Sequence, residues 1–164
     1  IRNFSCDDRK EIEKILNKIH SFKIFKKEEV DCALELIDIY LSDPNQEDYE
    51  CISCIEINKE KNIENLVGYA CYGKIPLTDA VFDLYWIVID PNYHRKGYGK
   101  SLINHIETKL KQRYGRKIFI ETSSLDLYKN TRMFYEKLSY KKTASIKDFY
   151  SKGDDKVIYE KILY

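Results

Sequence analysis

The sequence predicts a mixed α/β (α+β) domain with seven strands, mostly antiparallel, and about four helices. Three observations carry that prediction. Residues 49–57, YECISCIEI, alternate in the manner of a half-exposed strand. Apolar residues recur at helical spacing in Ile12, Ile15, Leu16 and Ile19, and again in Val30, Ala33, Leu34, Ile37 and Leu41. Residues 84–89, LYWIVI, read as a buried strand that stops at Asp90-Pro91-Asn92 and runs through glycines into a helix at Leu102, Ile103, Ile106 and Leu110.

In order, residues 1–5 predict a short strand, with Ser5, Asp7 or Asp8 capping the helix that follows to His20-Ser21. The second helix closes at Ser42-Asp43-Pro44. Strands over 49–58 and 66–75 flank the polar turn Lys59-Glu60-Lys61-Asn62 and form an antiparallel hairpin. The central strand spans 81–89, and Tyr114-Gly115-Arg116 stops the long helix after it. A fifth strand covers 117–122. A helix over about 128–138 turns Met133, Phe134 and Leu138 inward, and strands near 141–149 and 156–163 end the chain. No repeat, linker or low-complexity segment divides residues 1–164, so one domain is expected.

Length and charge bound the function. A chain of 164 residues can bury roughly 70% of its unfolded surface. A net charge of +1 provides no field for nucleic acid or an acidic membrane, and no apolar run approaches a membrane span or a secretory h-region. Five cysteines, an odd number, point to reduced thiols in a cytoplasm. Cys51 and Cys54 have zinc-pair spacing, but strand alternation sends them to opposite faces and no second Cys/His pair accompanies them, so they read as ordinary strand cysteines and no metal is expected.

The segment 84–110 holds the chemistry. A strand that turns through glycines into a helix N-terminus gathers free amides and the positive end of the helix dipole. Gly97 and Gly99 let the backbone approach a ligand, and Arg95, Lys96 and Lys100 add charge, so the segment reads as a pyrophosphate site. As a P-loop it has Gly99-Lys100-Ser101 but His94 where the first glycine belongs. As a dinucleotide fingerprint it begins Gly97-Tyr98-Gly99 but has Leu102 where the third glycine belongs.

His94-Arg95-Lys96-Gly97-Tyr98-Gly99 instead resembles the acetyl-CoA loop of the GNAT N-acetyltransferases, Gln/Arg-x-x-Gly-x-Gly/Ala, with His94 departing at the first position. Ile87-Val88-Ile89-Asp90-Pro91 is similar to that family's strand into the cofactor turn. Residues 128–140, YKNTRMFYEKLSY, resemble its second signature, a helix carrying Phe/Leu-Tyr-Glu before Leu-Gly-Phe/Tyr, with Ser139 in place of the glycine. That departure is expected to cost helix-end stability rather than activity. The element order matches as well, over nearly the whole chain.

The resemblance implies an acetyl-CoA-dependent N-acetyltransferase in which a neutral primary amine, of a small molecule or a peptide, attacks the thioester directly and CoA leaves as thiolate. It implies central strands that splay where the pantetheine arm enters, with the backbone of Ile87, Val88 and Ile89 pairing with that arm. The amides of Arg95, Lys96, Gly97, Tyr98, Gly99 and Lys100, with Ser101, would hold the pyrophosphate. Asn130 lies near the position of a family cofactor-binding Asn, although counting back from Tyr135 puts Tyr128 there. Tyr135 becomes the general acid, since a phenol near pKa 10 stays protonated at neutral pH and can protonate a thiolate of about 8.5. Glu121, ending the fifth strand, is the first choice of base, through a water. His94 reads as a turn or phosphate contact.

The acceptor would meet the first two helices, the loop at 73–80 and the last hairpin, whose Asp148, Asp154 and Asp155 would favour a cation. Asp83, Tyr72, Tyr85 and Trp86 could line an aromatic pocket with an acidic anchor, with core packing the stronger expectation for Trp86. The cysteine count points to a cytoplasmic enzyme, and many small members of the family are homodimers. Abundant Lys, Ile, Asn and Tyr suggest an AT-rich bacterial genome. The reading from a different class is an acyl-CoA-binding sensor domain without turnover, which needs neither Tyr135 nor Glu121.

Overall fold

The apolar pattern decides the elements. The computed structural model describes residues 1–43, 45–58 and 63–164. Its strands are β1 (Arg2–Asn3), β2 (Tyr49–Asn58), β3 (Ile63–Lys74), β4 (Val81–Ile89), β5 (Lys117–Ser123), β6 (Lys141–Ser151) and β7 (Asp154–Ile162). Its helices are α1 (Asp8–Ser21), α2 (Lys27–Ser42), α3 (Tyr98–Gln112) and α4 (Lys129–Lys137). The strands form one mixed sheet in the order β1-β2-β3-β4-β5-β7-β6, with β4 and β5 parallel. The expected turn at 59–62 and Pro44 lie outside the described residues. Two compact units emerge, residues 1–72 with 86–106 and residues 73–85 with 107–164.

In the first unit, Ile12 and Leu16 of α1 and Val30, Ala33 and Ile37 of α2 are fully buried in one core with Phe4, Cys51, Tyr69, Cys71 and Val88. Each large aliphatic there contributes about 1.5–3 kcal/mol through burial. Cys51 lies in this core and Cys54 does not, in keeping with opposite strand faces. Asp7, one of the three expected caps, occupies the cap position of α1 but makes no side-chain bond. Asp8, inside the first turn, has a carboxylate that accepts from the Ser5 amide at 2.9 Å, from Ser53 Oγ at 2.7 Å and from both Arg2 nitrogens at 2.6 and 2.7 Å. Burial alone would raise its pKa; these donors lower it below the ordinary carboxylate value. One side chain thus ties β1, α1 and β2 together.

In the second unit β5 runs parallel to β4 from Val81↔Lys117 to Leu84↔Ile120 and antiparallel to β7 along its whole length. On α4 the inward residue is Tyr135, 4% exposed, rather than Met133, which is 41% exposed. With nine residues the helix buries a narrow line, and Thr131, Tyr135 and Leu138 lie along it.

Three helices end alike. After α1, α3 and α4 the residues in the left-handed region are Lys23, Tyr114 and Ser139, with φ of 58°, 57° and 67°. Each donates to the carbonyl three residues back, and the next amide reaches five back: Ile24 to Ile19, Gly115 to Leu110 and Tyr140 to Tyr135, at 3.3, 2.8 and 3.1 Å. This is the Schellman pattern, usually built on glycine. For α3 the turning residue is Tyr114, not its neighbour Gly115. Gly115 serves a different end, because a Cβ there would stand 2.9 Å from the Leu110 oxygen. Gly68 is tighter still: a Cβ would fall 2.2 Å from the Val88 carbonyl oxygen and 2.6 Å from Ile89 Cδ1.

Two predictions follow from backbone geometry. Ser139→Gly relieves a left-handed side-chain clash and should raise stability by about 0.5–1 kcal/mol after the entropy cost of glycine. Thermal melting would show a gain of about 1–4 °C, and a loss would contradict the account. Gly68→Ala forces β3 and β4 apart and should cost about 1–3 kcal/mol, a drop of several degrees in the same measurement. An unchanged melting temperature would mean that the contact is not as close as described.

Candidate functional site

In the first unit the turn after β4 is built on Asp90. Its Oδ1 accepts from the Asn92 amide at 2.8 Å and from Lys18 Nζ at 2.6 Å, while its own amide donates to the Val67 carbonyl at 2.8 Å. Pro91, with φ preset, starts a single 3-10 turn, Pro91–Tyr93. His94 folds back, its Nε2 lying 2.9 Å from the Ile89 carbonyl; with a hydrogen on Nε2 the ring donates there. His94 is therefore a turn contact. Arg95 and Gly97 follow in the left-handed region, at φ 60° and 90°, and Gly97 has open space where a side chain would be.

Helix α3 then begins at Tyr98, and the Ser101 amide makes the first helical bond, to the Gly97 carbonyl at 2.9 Å. The amides of Gly97, Tyr98, Gly99 and Lys100 consequently have no acceptor within the helix and carry the positive end of its dipole. Arg95, Lys96 and Lys100 are exposed around them, with Lys96 Nζ 4.7 Å over the Tyr93 ring. Ser101 has spent its amide and keeps only an exposed hydroxyl to offer. The Tyr98 hydroxyl donates to Glu56 at 2.6 Å, a bond that pushes the phenol up to about 12, so only its backbone is free for a ligand. This donor set can hold a pyrophosphate. On β4 itself Val88 is buried and Ile87 and Ile89 are half-buried. Ladder pairs between β4 and β5 run as far as Leu84↔Ile120, and Glu121, Thr122 and Ser123 pair with β7.

In the second unit the Tyr135 ring is buried against Phe134, Tyr140 and Tyr159, with centroids 5.4, 6.1 and 6.0 Å away. Burial pushes its phenol well above the ordinary value. The hydroxyls of Tyr140 and Tyr159 are engaged, by Glu107 at 3.0 Å and Glu136 at 2.9 Å. Glu121, two residues before the end of β5, is an exposed carboxylate paired with Lys156 Nζ at 2.6 Å. Asp83, on β4, is half-buried and raised to about 6, chiefly by burial and next by the Glu121 charge, with Lys156 opposing. Asn130 stands exposed in the first turn of α4, and Tyr128 is at its N-cap.

Several expectations need correction, but Trp86 takes the role that was its stronger expectation: it lies edge-on to Phe25 at 5.5 Å and packs on the first unit's core. Tyr72 is buried and donates to Glu50 at 3.1 Å, and Tyr85 is exposed. The hairpin carboxylates are already bonded, Asp148 and Asp155 within their own loop and Asp154 to the end of β5. Asp154, 5% exposed, accepts from Ser123 Oγ at 2.5 Å and the Ser124 amide at 3.2 Å. Asp148 accepts from the Gly153 amide at 2.6 Å and Asp155 from the Asp148 amide at 2.9 Å. The sequence suggests Asp83 only as an anchor, although a carboxyl inside an apolar strand is itself a signal, and nothing local marks Lys156. Among the described residues no group of three or more His, Cys, Asp or Glu could hold a metal, and no helix is long and apolar enough to cross a membrane.

Comparison with known proteins agrees with the geometry. The family model for the acetyltransferase (GNAT) family matches residues 11–140. A solved structure from Desulfovibrio desulfuricans, assigned to the same family, is 32% identical over 100% of this chain and 98% of its own, with a TM-score of 0.89. The ribosomal-protein-S18-alanine N-acetyltransferase of Escherichia coli shares the fold at 16% identity, covering 98% of this chain and 91% of its own, with a TM-score of 0.72. An aminoglycoside 6'-N-acetyltransferase complexed with coenzyme A does so at 17% identity, 99% and 96% coverage and a TM-score of 0.70. Among curated proteins none matches in sequence. With the family model and the Desulfovibrio structure together spanning the turn, the helix start and the Tyr135 helix, the chain belongs to the GNAT acetyltransferase family and is an N-acetyltransferase.

Proposed function

We propose that this chain transfers an acetyl group from acetyl-CoA to a primary amine of a small molecule or peptide. The start of α3 carries the reading: four amides without helical acceptors, flanked by Arg95, Lys96 and Lys100, suit the pyrophosphate of a CoA ester and have no other evident use. The backbone of Ile87, Val88 and Ile89 pairs with the pantetheine arm in this reading, which the end of the β4–β5 ladder at Leu84↔Ile120 supports. Asn130 is a further contact to the cofactor. Acetyl-CoA, when bound, supplies an activated acyl carbon and a thiolate leaving group. The relatives named for aminoglycoside and ribosomal-protein acceptors make both amine classes reasonable first screens.

Tyr135 is the proton donor to the leaving sulfur. Burial keeps the phenol protonated at every working pH, and it hydrogen-bonds the developing thiolate before yielding its proton. Proton acceptance from the ammonium falls to one of two carboxylates. Glu121 is already paired with Lys156. The Asp83 carboxylate accepts no hydrogen bond among the described residues and is raised to about 6, close to what a base working near neutrality requires. Asp83 is the proton acceptor in this reading, and Glu121 shapes its field.

The pH dependence follows in sign. A base must be deprotonated, so kcat/KM should rise with pH through about 6 and then level until the acceptor's own titration intervenes. Asp83→Asn should remove that limb and lower kcat/KM by about 10²-fold or more. Tyr135→Phe should lower kcat at least about tenfold with little change in KM for acetyl-CoA, by thiol release with a panel of amines. Full turnover in Tyr135→Phe, or an intact limb near 6 in Asp83→Asn, would contradict these assignments.

A further inference from the structure

Lys156 has three partners at once. Its side chain is 15% exposed, with Nζ 2.6 Å from Glu121 Oε2, 3.8 Å from the centre of the Phe149 ring and 6.0 Å from that of Tyr150. An ammonium held by a carboxylate and the face of an aromatic ring has lost much of its water and is fixed in place. The strands explain how it arrives there. Lys156 faces Ser123 on β5 and Ile146 on β6 in register, which sets its side chain beside Glu121 on one side and the far end of β6 on the other.

Two charged groups act on Asp83, Glu121 from β5 and Lys156 from β7, and β6 turns the Phe149 and Tyr150 rings toward Lys156. Without the ammonium, Asp83 and Glu121 would be like charges on adjacent strands. The Glu121 charge would then act on Asp83 with nothing opposing it. Resting on the reading of Asp83 as proton acceptor, we propose that Lys156 is a positioning residue that neutralises Glu121 and so leaves Asp83 as the carboxylate that takes the acceptor's proton. The acceptor position then carries a single net negative charge and is matched to one ammonium.

The test is a carboxyl carbon-13 NMR titration of the full chain, with Asp83→Asn identifying the Asp83 resonance. Wild type should show a midpoint near 6. Lys156→Met should move it upward by at least about half a pH unit, because an opposing charge is lost. Lys156→Arg, which keeps the cation, should leave it within about 0.3 unit. Glu121→Gln should move the midpoint downward, since a like charge disappears and the ammonium is released toward Asp83. A midpoint unmoved by Lys156→Met, or moved equally by Lys156→Arg, overturns the proposal. If Lys156→Met does not fold, Glu121→Gln decides alone: a downward shift supports it and no shift or an upward one overturns it. The readout needs no acceptor, so failure of acetyl transfer would be seen separately from failure of this inference.

Discussion

Asp90 is the constraint on which the rest depends. One carboxylate oxygen takes the Asn92 amide and the Lys18 ammonium, and the same residue's amide is given to Val67. The end of β4, helix α1 and strand β3 are thereby tied at a single point. From there the chain has few ways to go: Pro91 presets the turn, His94 bonds back to Ile89, and Arg95 and Gly97 take left-handed backbone to reach the start of α3. Arg95 accepts an unfavourable conformation of order 1–2 kcal/mol, which is tolerated because the surrounding bonds over-determine it. The outcome is a helix N-terminus whose first four amides have no acceptor within the helix.

The second unit uses burial differently. Tyr135 is packed among tyrosines, two of which have given their hydroxyls to Glu107 and Glu136. Lys161 pairs with Glu107 at 2.8 Å and lies over the Tyr140 ring, so that carboxylate is compensated. The hairpin acids are likewise bonded, Asp148 and Asp155 within their loop and Asp154 to Ser123 and Ser124. After this accounting the chemically free groups are few, and Tyr135 and Asp83 stand out because they are buried or half-buried without being spent.

Much of this was readable in the sequence, and the division follows sequence distance. The β4–turn–α3 segment, the two N-terminal helices and the Phe-Tyr-Glu helix are local patterns, in which period, proline and glycine act within a few residues. The left-handed residues Lys23 and Tyr114 were hidden because neither is glycine, whereas Ser139 was marked by the glycine it replaces. Trp86 was ambiguous from its strand alone; Phe25, 61 positions earlier, claims it. Lys156 and Asp83 gained their meaning from strands that meet only in the folded sheet, and alternation cannot show which charge will lie beside which.

The most direct measurement of the central claim is thermal melting with acetyl-CoA, CoA and Mg-ATP in parallel. A ligand at 100 times its dissociation constant adds about 2.7 kcal/mol, or about 5–10 °C for a chain of this size. The account predicts that gain with acetyl-CoA and with CoA and none with Mg-ATP. A gain with Mg-ATP alone, or none with either CoA species, would contradict the assignment of the α3 start to a CoA pyrophosphate.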